Sequence, residues 1–221
     1  MLPEILEHAA DRYAELERRI DRLMPARCAG VCLDCRGGCC RAGMANQTIR
    51  TWWLREVSVR AHGRWWPDDW RQRAGCVALT ERGCLLSAGR PVNCRTYFCE
   101  PYLAACRDVW QTILCAFLSE LLPETMRLSP KLNLLDLSAE EGVSRAGEIA
   151  ECVEASHRLL AAAEQLADEG APERTKHRVA LELLCSMPGM LRPAVRRRVL
   201  AEIGGVPGGA AAEAGGEHGR S

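Results

Sequence analysis

The segment from Cys28 to Cys40, CAGVCLDCRGGCC, places five thiols in thirteen residues, and four more follow at Cys76, Cys84, Cys94 and Cys99. Nine cysteines within 72 positions call for either metal ligation or disulfide pairing, and the two are decided by compartment. Clustered thiols in a reducing environment hold metal, whereas structural disulfides belong to oxidising ones. The first residues, MLPEILEHAADRYAELERR, mix acidic and basic side chains with no apolar leader, and no stretch reaches 18 apolar residues. These features predict a cytoplasmic chain without a membrane span. The cysteine total of 13 is odd, which also argues against complete pairing.

The first cluster reads C-x3-C-x2-C-x3-C-C and contains Gly37 and Gly38. Thiolates two or three residues apart converge on one centre only where the backbone wraps tightly, and glycine permits the positive φ values this needs. Soft thiolates select zinc or an iron–sulfur cluster over magnesium or calcium. Iron–sulfur is favoured over zinc, because the thiols outnumber the needs of a single zinc and no histidine joins them. Cys28, Cys32 and Cys35 match the C-x3-C-x2-C spacing of radical S-adenosylmethionine enzymes. Five crowded thiols often produce that spacing, however, and no strand–helix repeat accompanies it.

Composition sets the remaining bounds. The 221 residues are 48% hydrophobic, enough for a proper core. Lys+Arg and Asp+Glu balance at 29 each, so no general field draws the chain to nucleic acid or an anionic membrane. Arg50, Arg55, Arg60, Arg64 and Arg71 interleave with Trp52, Trp53, Trp65, Trp66 and Trp70, a pattern that can stack single-stranded bases. With no net positive charge the rings read as an apolar shell beside a metal site, and nucleic acid is an unlikely partner.

The second cluster, GCVALTERGCLLSAGRPVNCRTYFCEPY over residues 75–102, is loop-rich, with short extended pieces at 77–80 and 85–86 and a turn at Gly89-Arg90-Pro91. Taken together, the Cys32-Cys35-Cys39-Cys40 knot, Cys76 followed by Gly83-Cys84, and Arg90-Pro91-x2-Cys94-Arg95-x-Tyr97-x-Cys99 resemble the YkgJ-type cysteine-cluster family, a zinc- or iron-chelating domain. The resemblance spans about residues 28–102. It implies ligand roles for Cys32, Cys35, Cys39, Cys40, Cys76, Cys84, Cys94 and Cys99, with Cys28 an additional candidate. Arg90, Arg95 and Tyr97, which belong to the same motif, are read as cofactor-binding residues that donate to thiolates or pack over the site. The knot has three residues between Cys35 and Cys39 where the compact family form has two, which leaves the grouping into one or two centres open. The family includes proteins similar to flagellin lysine N-methylase, so the resemblance also implies an alternative, an S-adenosylmethionine-dependent protein-modifying enzyme. No cofactor loop or catalytic constellation in residues 103–221 speaks for it, and no reaction or catalytic residue follows from the chain itself.

The rest is predicted helical. Apolar residues spaced by three and four run from Leu2 to Met24, and Pro25 ends that helix; Glu15 and Arg19 pair on its outer face. Residues 48–61 form a short helix with Trp53, Val57 and Ala61 inward. Residues 102–122 form another, with Cys106 and Cys115 as small core side chains. Pro123 and Pro130 bracket a connection, and 132–137 is an extended or buried segment. Ser138 and Glu141 make a capping box that opens a helix over about 139–168. Helices over 172–187 and 193–203 follow, and Cys152 and Cys185 are buried on the late helices. His8, His62, His157, His177 and His218 are lone histidines without ligand spacing. The glycine- and alanine-rich tail, 204–221, is predicted disordered. The expected architecture is a mostly α, single helical domain over 1–203 with a cysteine-rich metal-binding insertion at 28–102. Its expected function is to hold an iron–sulfur cluster or zinc in a structural, redox or sensing role, alone or with a protein partner.

Overall fold

The computed structural model describes residues 2–23, 51–63, 78–80, 83–84, 86–96, 106, 108–187, 197, 199–201 and 203. Over these residues the chain is mostly helical, and no described helix is long and apolar enough to cross a membrane. Residues 204–221 lie outside the described residues, as do Trp65, Trp66 and Trp70.

Helix α1 (Glu4–Leu23) carries Glu4 and Glu7 in its first turn and Arg22 in its last, charges that complement the helix dipole. Its stripe of Leu6, Ala9, Ala10, Tyr13, Leu16 and Ile20 is buried. Helix α2 (Trp52–His62) packs on α1 and closes on Gly63, whose φ of 67° allows its N–H to reach Val59 O at 2.7 Å. Trp53 is fully buried and meets Tyr13 edge-on at 5.9 Å, and Trp52 meets Trp53 at 5.6 Å. Trp53 and Val57 face inward as expected, whereas Ala61 is exposed.

The hairpin of β1 (Leu79–Thr80) and β2 (Gly83–Cys84) pairs Leu79 with Cys84, and the short helix α3 (Asn93–Thr96) follows. Helix α4 (Val109–Thr125) begins later than its apolar run suggests. The Asp108 side chain accepts from Gln111 N at 2.8 Å and fixes the start there. Pro123 sits inside the last turn of α4 and does not end it. Proline removes a single backbone donor, while Leu121, Leu122, Thr125 and Met126 keep that turn buried.

The hairpin of β3 (Arg127–Ser129) and β4 (Leu132–Asn133) leads through a 3-10 turn (Leu134–Asp136) to α5 (Ala139–Ser144), capped by Ser138 and Glu141 reciprocally. The expected continuous helix to 168 is broken at Arg145, where φ is −114° and ψ is 21°. The break follows Gly142-Val143-Ser144, three residues of modest helix propensity, and the Ser144 hydroxyl back-bonds to Glu141 O at 2.7 Å. Gly142 also leaves room for Trp52, whose ring occupies the place a β-carbon would take.

Helix α6 (Ala146–Ala167) is the hub, packing against α1, α4 and α7 (Glu173–Ser186). Val179, Ala180, Leu183 and Leu184 are the buried face of α7, and Arg197, Val199, Leu200, Ala201 and Ile203 are helical.

A polar seam joins α1 to α6. Arg12 Nε donates to Glu154 at 2.7 Å, and Arg19 holds Glu164 with two bonds, at 2.8 and 2.7 Å. Arg19 therefore pairs across helices and not with Glu15, which accepts from Arg12 instead. Two N–H groups of Arg19 meet the two oxygens of Glu164, the bidentate arrangement that strengthens an arginine–carboxylate pair. The buried His157 completes the seam, its Nε2 lying 2.8 Å from Arg12 O and its Nδ1 2.8 Å from Arg19 Nη1. A guanidinium only donates, so Nδ1 accepts and the proton resides on Nε2. Burial is the main cause that holds His157 below the usual imidazole range.

Candidate functional site

Cys28, Cys32, Cys35, Cys39, Cys40, Cys76, Tyr97 and Cys99 lie outside the described residues. Cys84 and Cys94 lie within them, and both are exposed. Among the described residues no group of three or more histidine, cysteine, aspartate or glutamate side chains is gathered as a metal site.

What the structure does place is the strap that carries Cys94. Residues 86–96 lie against α1 and α2, with Ala88, Gly89, Pro91, Val92 and Arg95 buried. Gly89 has φ of 68°, and a β-carbon there would come within 2.7 Å of both Leu54 O and Ser58 N. Only glycine allows the strap to approach the α2 backbone so closely. Pro91 then starts the turn, in which Cys94 N donates to Pro91 O at 2.8 Å and Arg95 N to Val92 O at 2.9 Å. Consecutive residues of a helical turn point about 100° apart. The Cys94 thiol thereby faces solvent while its neighbour Arg95 turns into the protein.

The strap is held by one buried carboxylate. Glu17 of α1 accepts from Gly89 N, from Arg90 N at 3.2 Å and from Arg95 Nε at 2.9 Å. Arg95 further donates from Nη1 to Glu17 O at 3.1 Å and to Asp21, and from Nη2 to Ser87 O at 2.7 Å. The Glu17 and Arg95 side chains are 0% and 1% exposed. Burial pushes the Glu17 carboxyl above the ordinary glutamate range, opposed chiefly by Arg95 and the Gly89 amide. Tyr13, one turn before Glu17, is also fully buried, and burial raises its phenol well above the usual value.

Arg90, the other motif arginine, donates from Nε to Leu86 O at 2.7 Å and stands 3.9 Å from Asp21. In the described residues both arginines thus brace the strap against carboxylates and backbone carbonyls. His62 of α2 adds a further contact, with Nε2 3.3 Å from Ala88 O.

The remaining cysteines divide by environment. Cys115 is fully buried in α4, as expected of a core side chain, and its Sγ lies 3.5 Å from Sγ of the part-buried Cys106. Cys152 is half-buried on α6, and burial, with Glu148 and Glu151 nearby, raises its thiol above the usual range, an inert setting. Cys185 is exposed and not buried, because it falls on the outer side of α7 while Val179, Leu183 and Leu184 face inward.

Glu17 is the site residue that periodicity misses, although a signal exists. It stands four residues after Tyr13 and three before Ile20, so a carboxylate occupies the apolar stripe itself. Such a charge requires a buried cationic partner from another segment.

No protein-family model, curated protein or solved structure matches this chain.

Proposed function

We propose that the chain is a metal-binding protein whose clustered cysteine thiolates hold an iron–sulfur cluster or zinc, with the helical bundle as the scaffold of the cysteine-rich region. The observation that carries this reading is nine thiols within 72 positions, spaced so that small groups can converge on one centre. The ligand set is Cys28, Cys32, Cys35, Cys39, Cys40, Cys76, Cys84, Cys94 and Cys99, and iron–sulfur is favoured over zinc.

Two features support it. Cys84 and Cys94 lie exposed on short elements, a hairpin strand and a one-turn helix, where an incoming metal can reach them. The strap behind Cys94 is fastened to α1 through Glu17, so Arg95 acts on the thiol as a positioning residue. Holding a ligand's backbone in place lowers the entropy lost when metal binds.

The reading is tested on anaerobically prepared protein by absorption and chelation. Thiolate–iron charge transfer gives broad visible absorption, whereas zinc leaves the sample colourless and is released to a chromogenic chelator. Either signal should weaken in Cys84→Ser and Cys94→Ser. A colourless sample that releases no zinc would overturn it.

A further inference from the structure

We propose that Cys106 and Cys115 form a redox-active dithiol that a hydroperoxide converts to an intramolecular disulfide. This inference rests on geometry outside the nine-thiol array and does not depend on the metal reading.

The two Sγ atoms are 3.5 Å apart, in thiol–thiol hydrogen-bond contact. A disulfide needs about 2.05 Å, so the sulfurs close a gap of roughly 1.5 Å. The two positions differ in setting. Cys115 is fixed in the packed interior of α4, while Cys106 precedes the Asp108 cap and is not helical. The approach is assigned to Cys106, which lies outside α4.

Accessibility assigns the order of events. Cys106 is part-exposed and Cys115 is fully buried, so an oxidant in solution meets Cys106 first. The Cys106 sulfur attacks one oxygen of hydrogen peroxide, the O–O bond breaks, and the leaving hydroxide takes the thiol proton, so that a sulfenic acid and one water form. The Cys115 thiol then attacks the Cys106 sulfur, forming the S–S bond and expelling the sulfenic hydroxyl as a second water. Two thiols lose two electrons and two protons, and one hydroperoxide group is reduced. A dithiol reductant reverses the reaction by exchange. The resulting loop encloses the Asp108–Gln111 cap, so oxidation bears on how α4 begins.

The test is peptide mapping of the full-length protein after treatment with about one equivalent of hydrogen peroxide. Trypsin cleaves after Arg95, Arg107 and Arg127, which leaves Cys106 in peptide 96–107 and Cys115 in peptide 108–127. These two peptides should appear crosslinked, fragmentation should place the link at Cys106 and not at Cys99, and a dithiol should remove it. In Cys106→Ser, a change at a part-exposed position, the oxidised fraction of Cys115 should fall by about tenfold, because the buried thiol loses its point of entry. Equal oxidation of Cys115 in that variant would overturn the proposal. So would two intact thiols at a peroxide dose that oxidises the exposed Cys185. Protection of both until a chelator strips metal would assign them to the metal array instead, and would also overturn it.

Discussion

Arg95 donates from Nε to the Glu17 carboxylate at 2.9 Å, with both side chains withdrawn from solvent. This pair fastens the loop before Cys94 to the first helix, and its balance is unequal. Removing the cation strands a buried carboxylate, a loss of about 3–5 kcal/mol. Arg95→Met should therefore lower unfolding stability by that amount in a denaturant titration. The double variant Glu17→Gln/Arg95→Met should recover part of it, because a neutral amide still accepts from the Gly89 and Arg90 N–H groups. Equal losses in the single and double variants would show that the pair is not coupled.

The same site fixes a pH effect. Burial raises the Glu17 carboxyl above its ordinary value of 4.5, so the folded protein binds the proton more tightly than the unfolded chain. Its contribution to stability is then larger at low pH and declines as pH rises through the folded value. In Arg95→Met the carboxyl loses its main opposing charge, so the defect should shrink on acidification. A defect that stays constant as pH falls to and below the ordinary carboxyl value of 4.5 would contradict this.

His157 works in the opposite direction. Its pKa is lowered from 6.5, chiefly by burial, so the unfolded chain binds the proton more readily. The stability it contributes is fully present above about 6.5 and is lost as pH falls through the folded value. The Glu154 and Glu164 carboxyls, lowered from 4.5 by Arg12 and Arg19, add a second decline at lower pH. In His157→Gln the first decline should flatten while the second remains. Chemical denaturation across the range separates the two.

Gly89→Ala tests the strap's approach to α2. The residue takes φ of 68°, and the added carbon would meet two backbone atoms of α2. The conformational and steric penalties together should destabilise the protein by about 2–4 kcal/mol. Gly63→Ala, with a similar φ of 67° but open space around it, should lose only about 1–2 kcal/mol. The difference in thermal midpoint measures the packing contribution.

Local chemistry made the helices legible in the sequence. The α1 stripe, the inward Trp53 and Val57, and the Ser138–Glu141 box follow from spacing and capping within one segment. Less legible were features set by distant partners. Arg19 reaches Glu164 and Arg95 reaches Glu17, pairs separated by 145 and 78 residues, and no local pattern specifies them. Ends were also misplaced, at Asp108 where one side chain caps the helix and at Arg145 where the break follows the low-propensity run Gly142-Val143-Ser144. For the site, the motif around Arg90 and Arg95 marked the segment that carries Cys94, but the Glu17 anchor came only from the fold.

The central proposal, that the thiol array holds metal, is tested most directly by elemental analysis of anaerobically purified full-length protein for iron, zinc and acid-labile sulfide. It predicts at least one metal centre per chain, iron with matching sulfide being the favoured result and zinc the other. Neither metal at stoichiometric level would contradict it.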